Sequence, residues 1–296
     1  MTAKVELTES DKKIKSHKRT PKELNFVVFP ETYLPRVSQW FVSLEGEGEQ
    51  IGETSLYVRV AGCYSAACTF CDTKFSWFDK KKFPIYTEAS LKREMLEKEL
   101  NKERVIERMT LTGGEPLHYM KNFKNMAEYF NELNNSNLKW FGVESNGNIL
   151  HKIENILELI KQFNSIKKLG IEPMLTISPK LDSKTCYQEE LTEKDIEVMY
   201  TEVFENIYNY MANFNINYKF IWNHNLPNNL ELKFIDDLIY KFKVDRNKIF
   251  LMPFTPYDAY GENAVEWEHS KYDTSRKALE LGVRYSPRLQ IDLHLD

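Results

Sequence analysis

Cysteine is scarce in this sequence, with four among 296 residues. That excludes the disulfide-dense scaffolds of small secreted proteins. Glycine and proline, eleven of each, are too few for a collagen-like or low-complexity chain. No apolar run approaches the roughly 20 residues needed to cross a bilayer. The opening stretch "MTAKVELTESDKKIKSHKRTPKE" has no signal-peptide core. Neither sign of charge dominates: 40 basic and 44 acidic side chains leave a net −4, with no general pull toward nucleic acid or anionic membrane. These absences point to a cytoplasmic chain whose thiols stay reduced. Clustered cysteines there suggest metal or redox chemistry.

The cysteines are in fact clustered. Cys63, Cys68 and Cys71 fall within "AGCYSAACTFCDTKFSW", and the fourth, Cys186, stands alone in the polar stretch "DSKTCYQEE", where it reads as a bystander. Around them the pattern alternates. Strands are predicted over 54–62, 107–113, 138–145, 172–178, 217–222 and 248–254. Helices are predicted over 88–103, 121–134, 150–163, 191–213, 230–242 and 272–282, followed by a strand-like "RLQIDLHL". Six strands separated by helices argue for a parallel α/β sheet with crossover helices. Periodicity does not separate an open sheet from a full or partial barrel. In either, ligands bind at the carboxyl ends of the strands. The cysteine loop, "TGGEP", "ESNG" and "SPK" all follow a strand directly. We therefore expect a polar extension over 1–36 and one catalytic domain over 37–296, with a charged insert around 181–200.

Thiolates are soft ligands for zinc or iron–sulfur clusters. A closed zinc site needs four ligands, and the nearest histidines, His17 and His118, lie far from the loop in sequence. A zinc-stabilised interaction protein is thus the non-enzymatic alternative. Three cysteines on a cubic cluster leave one iron open to substrate or cofactor, which suits catalysis.

The C-x4-C-x2-C loop followed by "TGGEP" resembles the radical S-adenosylmethionine superfamily, and "SLEGEGEQIGETSLYVRVAGC", "CDTKFSW", "VESNGN" and "LTISPK" narrow the resemblance to the 7-carboxy-7-deazaguanine synthase family. The first cysteine interval is one residue longer than the commonest spacing. The resemblance implies a partial (β/α) barrel of about six parallel strands and a [4Fe-4S] cluster on Cys63, Cys68 and Cys71. One iron of that cluster chelates S-adenosylmethionine, whose reductive cleavage gives an adenosyl radical. The implied reaction is ring contraction of 6-carboxy-5,6,7,8-tetrahydropterin to 7-carboxy-7-deazaguanine with loss of ammonia, a carbon–nitrogen lyase step of queuosine-type 7-deazapurine biosynthesis. It further implies magnesium at Thr73, a homodimer, and an electron donor such as flavodoxin or ferredoxin. No direct contact with nucleic acid or membrane is implied. A glycyl-radical-enzyme activase is the other radical alternative, but it has no use for "EGEG".

On the same basis Phe70, Cys71, Asp72, Gly113, Gly114, Glu115, Ser145, Ser178, Pro179 and Lys180 would hold S-adenosylmethionine, with Glu115 accepting from its ammonium. Leu44, Glu45, Gly46, Glu47, Arg59, Thr112, Gln290 and the terminal carboxylate of Asp296 would hold the pterin. Arg59, Glu47 and Thr73 would stand at the reacting end. Glu45 replaces the family's usual glutamine, and Gln290 its usual histidine. His294 is read as structural. Replacing Cys63, Cys68 or Cys71 by alanine should each abolish cluster assembly, whereas Cys186→Ala should not. Iron per chain and brown colour after anaerobic reconstitution check this, and zinc without visible absorption would overturn it.

Overall fold

The computed structural model describes residues 28, 35–63, 68–76, 105–134, 137–187, 189–256 and 259–295. The helix predicted over 88–103, nearly all of the 1–36 extension, and Asp296 lie outside these residues. Eight strands form one sheet in strict chain order: β1 (Val37–Leu44), β2 (Thr54–Val60), β3 (Arg108–Gly113), β4 (Trp140–Ser145), β5 (Glu172–Ile177), β6 (Asn215–Trp222), β7 (Ile249–Pro253) and β8 (Arg284–Tyr285). β1 runs antiparallel to β2, and every later pair is parallel.

Between the strands lie α1 (Phe123–Leu133), α2 (Ile153–Lys167), α3 (Ser183–Tyr187), α4 (Glu193–Tyr210), α5 (Asn229–Asp236) and α6 (Ala264–Leu281), with α7 (Leu289–Asp292) after β8. For parallel strands in chain order, crossovers of one hand place the helices on a single face. The sheet is an open partial barrel, in which β1 and β8 pair on one side only.

Residue alternation shows which face does what. On β2, Leu56, Val58 and Val60 join the apolar core, while Ser55, Tyr57 and Arg59 take the other face. On β3 the split is Met109 and Leu111 against Arg108, Thr110 and Thr112. On β6 it is Ile216, Tyr218 and Phe220 against Asn217 and Lys219. A parallel sheet covered by apolar layers on both sides reads as continuous hydrophobic runs. The cavity face of this sheet mixes polar side chains with Phe41, Ile221 and Met252, whereas the face toward its helices is apolar throughout. There, Phe204 of α4 packs against Tyr200, Tyr218, Phe220 and Phe234. Thr192 and Asp195 close a reciprocal capping box at the start of α4.

Four sequence expectations need correction. The aromatic-rich segment before residue 54 supplies β1, an antiparallel edge strand. α6 begins at Ala264, eight residues before the predicted start, because buried Trp267, Ser270 and Thr274 already belong to its inward face. The apparent insert at 181–200 is not an appendage: Leu181, Cys186, Tyr187, Leu191, Ile196, Met199 and Tyr200 are all buried. Finally, "RLQIDLHL" is not a strand. Its amides turn back on the chain, with Asp292 N–H donating to Arg288 (2.9 Å) and Leu293 N–H to Leu289 (2.9 Å). The period-two look of so short a segment did not determine its structure.

Candidate active site

A cavity of about 240 Å³ opens on the polar face at the carboxyl ends of the strands. Cys63, Cys68 and Cys71 line it together with Phe70, Asp72, Thr73, Gly113, Gly114, Glu115, Ser145, Ser178 and Lys180. Leu44, Gly46, Glu47, Arg59, Thr112 and Gln290 line it as well, so nearly every sequence candidate meets in one space. Pro179 and Glu45 are not among the lining residues. Among the described residues, no group of three His, Cys, Asp or Glu side chains is arranged to hold a single metal ion.

Close backbone approach explains the glycine turn. A Cβ on Gly114 would lie 2.2 Å from the Gly62 carbonyl oxygen. The Glu115 N–H donates to that same carbonyl at 2.9 Å, which pins "GGEP" to the residue before Cys63. The Glu115 carboxylate is committed to the fold. It accepts from the Ser145 hydroxyl (2.5 Å), the Leu117 N–H (3.0 Å) and the Asn146 N–H (2.9 Å). Burial raises its pKa above the ordinary value of 4.5, and these bonds only partly offset the rise. Ser145, its donor already spent on Glu115, also accepts from Gly147 N–H at 2.9 Å. The two residues therefore knit "GGEP" to "ESNG" first, and any contact with a cofactor is additional.

Glu45 departs further from expectation. Its buried carboxyl accepts from the Tyr57 hydroxyl at 2.6 Å and from the Thr110 hydroxyl, between β2 and β3. Burial, and then the charge of Glu144, raise its pKa against those hydrogen bonds. It braces the sheet.

At the opposite wall Glu47 is the centre of a charge network. Its carboxylate accepts from Lys219 Nζ at 2.5 Å, Arg288 Nε at 3.0 Å and Gln290 Nε2 at 2.6 Å. Lys219, its side chain 5% exposed, also pairs with Glu144 at 3.0 Å, and Arg288 reaches Asp72 beside Cys71. Burial alone would raise the Glu47 pKa, yet Lys219 and Arg288 outweigh it and hold the carboxyl below its ordinary value. Burial likewise opposes the charge of Lys219, but Glu144 and Glu47 outweigh it and raise its pKa. Thr112 donates to Glu144 at 3.3 Å.

Lys219, Glu144 and Arg288 were not among the sequence candidates. The available signal was a lysine inside the apolar run "NYKFIW", two positions after an asparagine. Gly46 fits where it does because a Cβ there would lie 1.9 Å from Gln290 Oε1.

Arg59 differs from the other cations. Its guanidinium lies over the Phe41 ring, 5.1 Å from the centroid, and its buried Nε has no hydrogen-bond partner among the described residues. Gln290 Oε1 is likewise buried without one. Arg59 and Gln290 both line the cavity, and a guanidinium there fits an anionic group on a ligand. Three thiols beside backbone exposed by glycine fit an iron–sulfur cluster with a chelated cofactor.

Residues 44–169 match a sequence family described as "4Fe-4S single cluster domain". Curated relatives include 7-carboxy-7-deazaguanine synthase of Clostridium acetobutylicum, 33% identical over 122 residues, which are 41% of this chain and 49% of that protein. The enzyme of that name from Buchnera aphidicola is 26% identical, covering 56% of this chain and 70% of its own. Over these stretches the chain is similar to 7-carboxy-7-deazaguanine synthases. It spans about half the length of the Clostridium relative. The crystal structure of QueE from Escherichia coli shares the fold, with a TM-score of 0.50 at 15% identity, covering 92% of this chain and all of the other.

The buried network carries a pH signature. Because its folded pKa is depressed, Glu47 contributes stability that is present above the ordinary value of 4.5 and is lost as pH falls toward the folded value. Glu47→Gln should cost roughly 3–5 kcal/mol at neutral pH by leaving two buried cations facing an amide. It should also flatten the acid limb. Urea titrations at pH 7 and pH 4 measure both effects.

Proposed function

We propose that the chain is a radical S-adenosylmethionine carbon–nitrogen lyase that contracts 6-carboxy-5,6,7,8-tetrahydropterin to 7-carboxy-7-deazaguanine with release of ammonia. The observation that carries this reading is one cavity with a three-thiol loop at one wall and an unpaired guanidinium plus a carboxylate network at the other. On this reading Cys63, Cys68 and Cys71 hold a [4Fe-4S] cluster. Residues 37–296 are the catalytic unit. The cluster and its bound cofactor supply the one-electron chemistry that removes a substrate hydrogen atom.

The chain's own residues bind and orient. Phe70 offers an apolar face to the adenine, braced edge-on by Phe254 at 5.7 Å. Backbone at Gly113 and Gly114 approaches the cofactor, while Ser178 and Lys180, 3.2 Å apart, present polar groups beside it. Arg59 meets the substrate carboxylate, where a planar fork suits two oxygens. Glu47, kept ionised, accepts from the pterin's amino and ring N–H groups. Gln290 Oε1 is a second acceptor and Thr112 a flanking hydroxyl. Thr73, buried with its hydroxyl 3.5 Å from Cys71 Sγ, is the magnesium position, with substrate and water filling the other sites. A small flavodoxin or ferredoxin is the proposed electron donor. No helix among the described residues is long and apolar enough to cross a membrane.

The proposed homodimer has a surface suited to it. Val265, Tyr272 and Leu279 are exposed along α6 at seven-residue spacing. Antiparallel pairing about Tyr272 sets Val265 opposite Leu279 and Glu268 opposite Arg276 of a second copy. Tyr272→Cys should form a symmetric cross-link under mild oxidation, and Leu279→Glu should yield monomer by sedimentation. A dimer unaffected by Leu279→Glu rules this face out.

The function itself is tested by anaerobic incubation of reconstituted protein with the carboxytetrahydropterin, S-adenosylmethionine and reductant. The deazaguanine should appear and ammonia be released. Arg59→Ala should raise KM for the pterin at least tenfold and leave iron content unchanged. An unaltered KM removes Arg59 from the site.

A further inference from the structure

Phe41 is not among the sequence candidates, yet its ring carries the Arg59 guanidinium. β1 and β2 are antiparallel, and their register sets Phe41 directly opposite Tyr57, with Arg59 on the diagonal two positions along β2. All three side chains line the cavity. The Phe41 and Tyr57 rings stack, with centroids 5.1 Å apart and planes 10° from parallel. The Arg59 guanidinium carbon lies 5.1 Å from the same Phe41 centroid. The Tyr57 end of this stack is fastened. Its hydroxyl donates to the Glu45 carboxylate at 2.6 Å, so the ring is held both at its backbone and at its tip. Glu45 is fixed in turn: its N–H donates to the Glu53 carbonyl at 2.7 Å, and its own carbonyl accepts from Gly52 N–H at 2.8 Å.

An arginine side chain has many rotamers, and ordering it on ligand binding costs entropy. An aromatic ring against the guanidinium removes part of that cost in advance, because the cation is drawn to the negative face of the ring. The ring also sets direction. A guanidinium lying over it presents its edge to the cavity, and the edge carries the N–H groups that meet a carboxylate as a two-bond fork. We propose that Phe41, backed by Tyr57 and Glu45, is a positioning residue that fixes the plane of Arg59 for the substrate carboxylate. Phe41 thereby strengthens the preference for a carboxylated ligand without bonding to the carboxylate itself. Glu45, which does not line the cavity, acts on the ligand through the stack that it anchors. The inference rests on the role of Arg59 given above and is independent of the cluster.

Phe41→Leu and Phe41→Met keep an apolar side chain without a ring, and Phe41→Tyr keeps the ring. Each is reconstituted anaerobically as the full-length chain and assayed for turnover of the carboxytetrahydropterin. Iron content should match wild type in all three. The two ringless variants should raise KM about three- to tenfold with kcat within about twofold, and the tyrosine variant should keep the wild-type KM. A tetrahydropterin without the carboxylate, used as a competitive inhibitor, should bind wild type and every variant equally. In an Arg59→Ala background, Phe41→Leu should raise KM no further. An unchanged KM in both ringless variants, while Arg59→Ala raises it, overturns the proposal and leaves the role of Arg59 standing. Equal weakening of both pterins, iron loss in both ringless variants, or a further rise in the double variant shows that Phe41 packs or acts apart from Arg59, and each overturns the proposal. A KM unaltered by Arg59→Ala itself removes the underlying reading, a result distinct from all of these.

Discussion

The buried carboxylate of Glu47 is the contact on which the rest of the site depends. It joins the turn after β1, the middle of β6 and the segment that follows β8, three pieces of chain far apart in sequence. Two buried cations with one carboxylate between them would be costly to keep out of water, so the network holds only as a unit. Glu144 balances Lys219 and Asp72 balances Arg288, which carries the connection to the residue beside Cys71. The ligand wall and the cysteine wall are therefore one electrostatic structure.

That structure has a second consequence for the choice of ligand. With Lys219 and Arg288 committed to carboxylates, Arg59 is left as the guanidinium whose charge faces the cavity without a carboxylate partner. The site thus presents a fixed carboxylate acceptor on one side and an available planar cation on the other. A small heterocycle bearing N–H groups at one end and a carboxylate at the other satisfies both at once.

The fold and half of the site were legible in the sequence because their signals are local. A strand followed by a helix is visible in a short window, and so are three cysteines in one loop or two glycines before a glutamate. Strand limits at β3 to β7 follow the sequence expectation closely for that reason. What was not legible is what topology assembles. Lys219 and Glu144 lie within strands, where an apolar context hides a polar side chain that faces inward. Arg288 gains its role only when the end of the chain reaches Gly46, whose carbonyl accepts from Leu289 N–H at 2.9 Å. The burial of Cys186 was not legible because charged neighbours make its stretch look solvated, whereas the short helix there turns Cys186 and Tyr187 inward. Glu45, legible as a ligand contact by resemblance, is instead turned toward Tyr57 and Thr110.

The split character of the sheet bears on how such a protein can change over generations. One register of each strand feeds the helix-covered hydrocarbon layer, and the next register faces the reaction space. Exchanges among the cavity-lining Tyr57, Thr112 or Gln290 can thus redraw what is accepted without thinning the layer that keeps the chain folded. Such a wall can drift toward new heterocycles while its scaffold stays still.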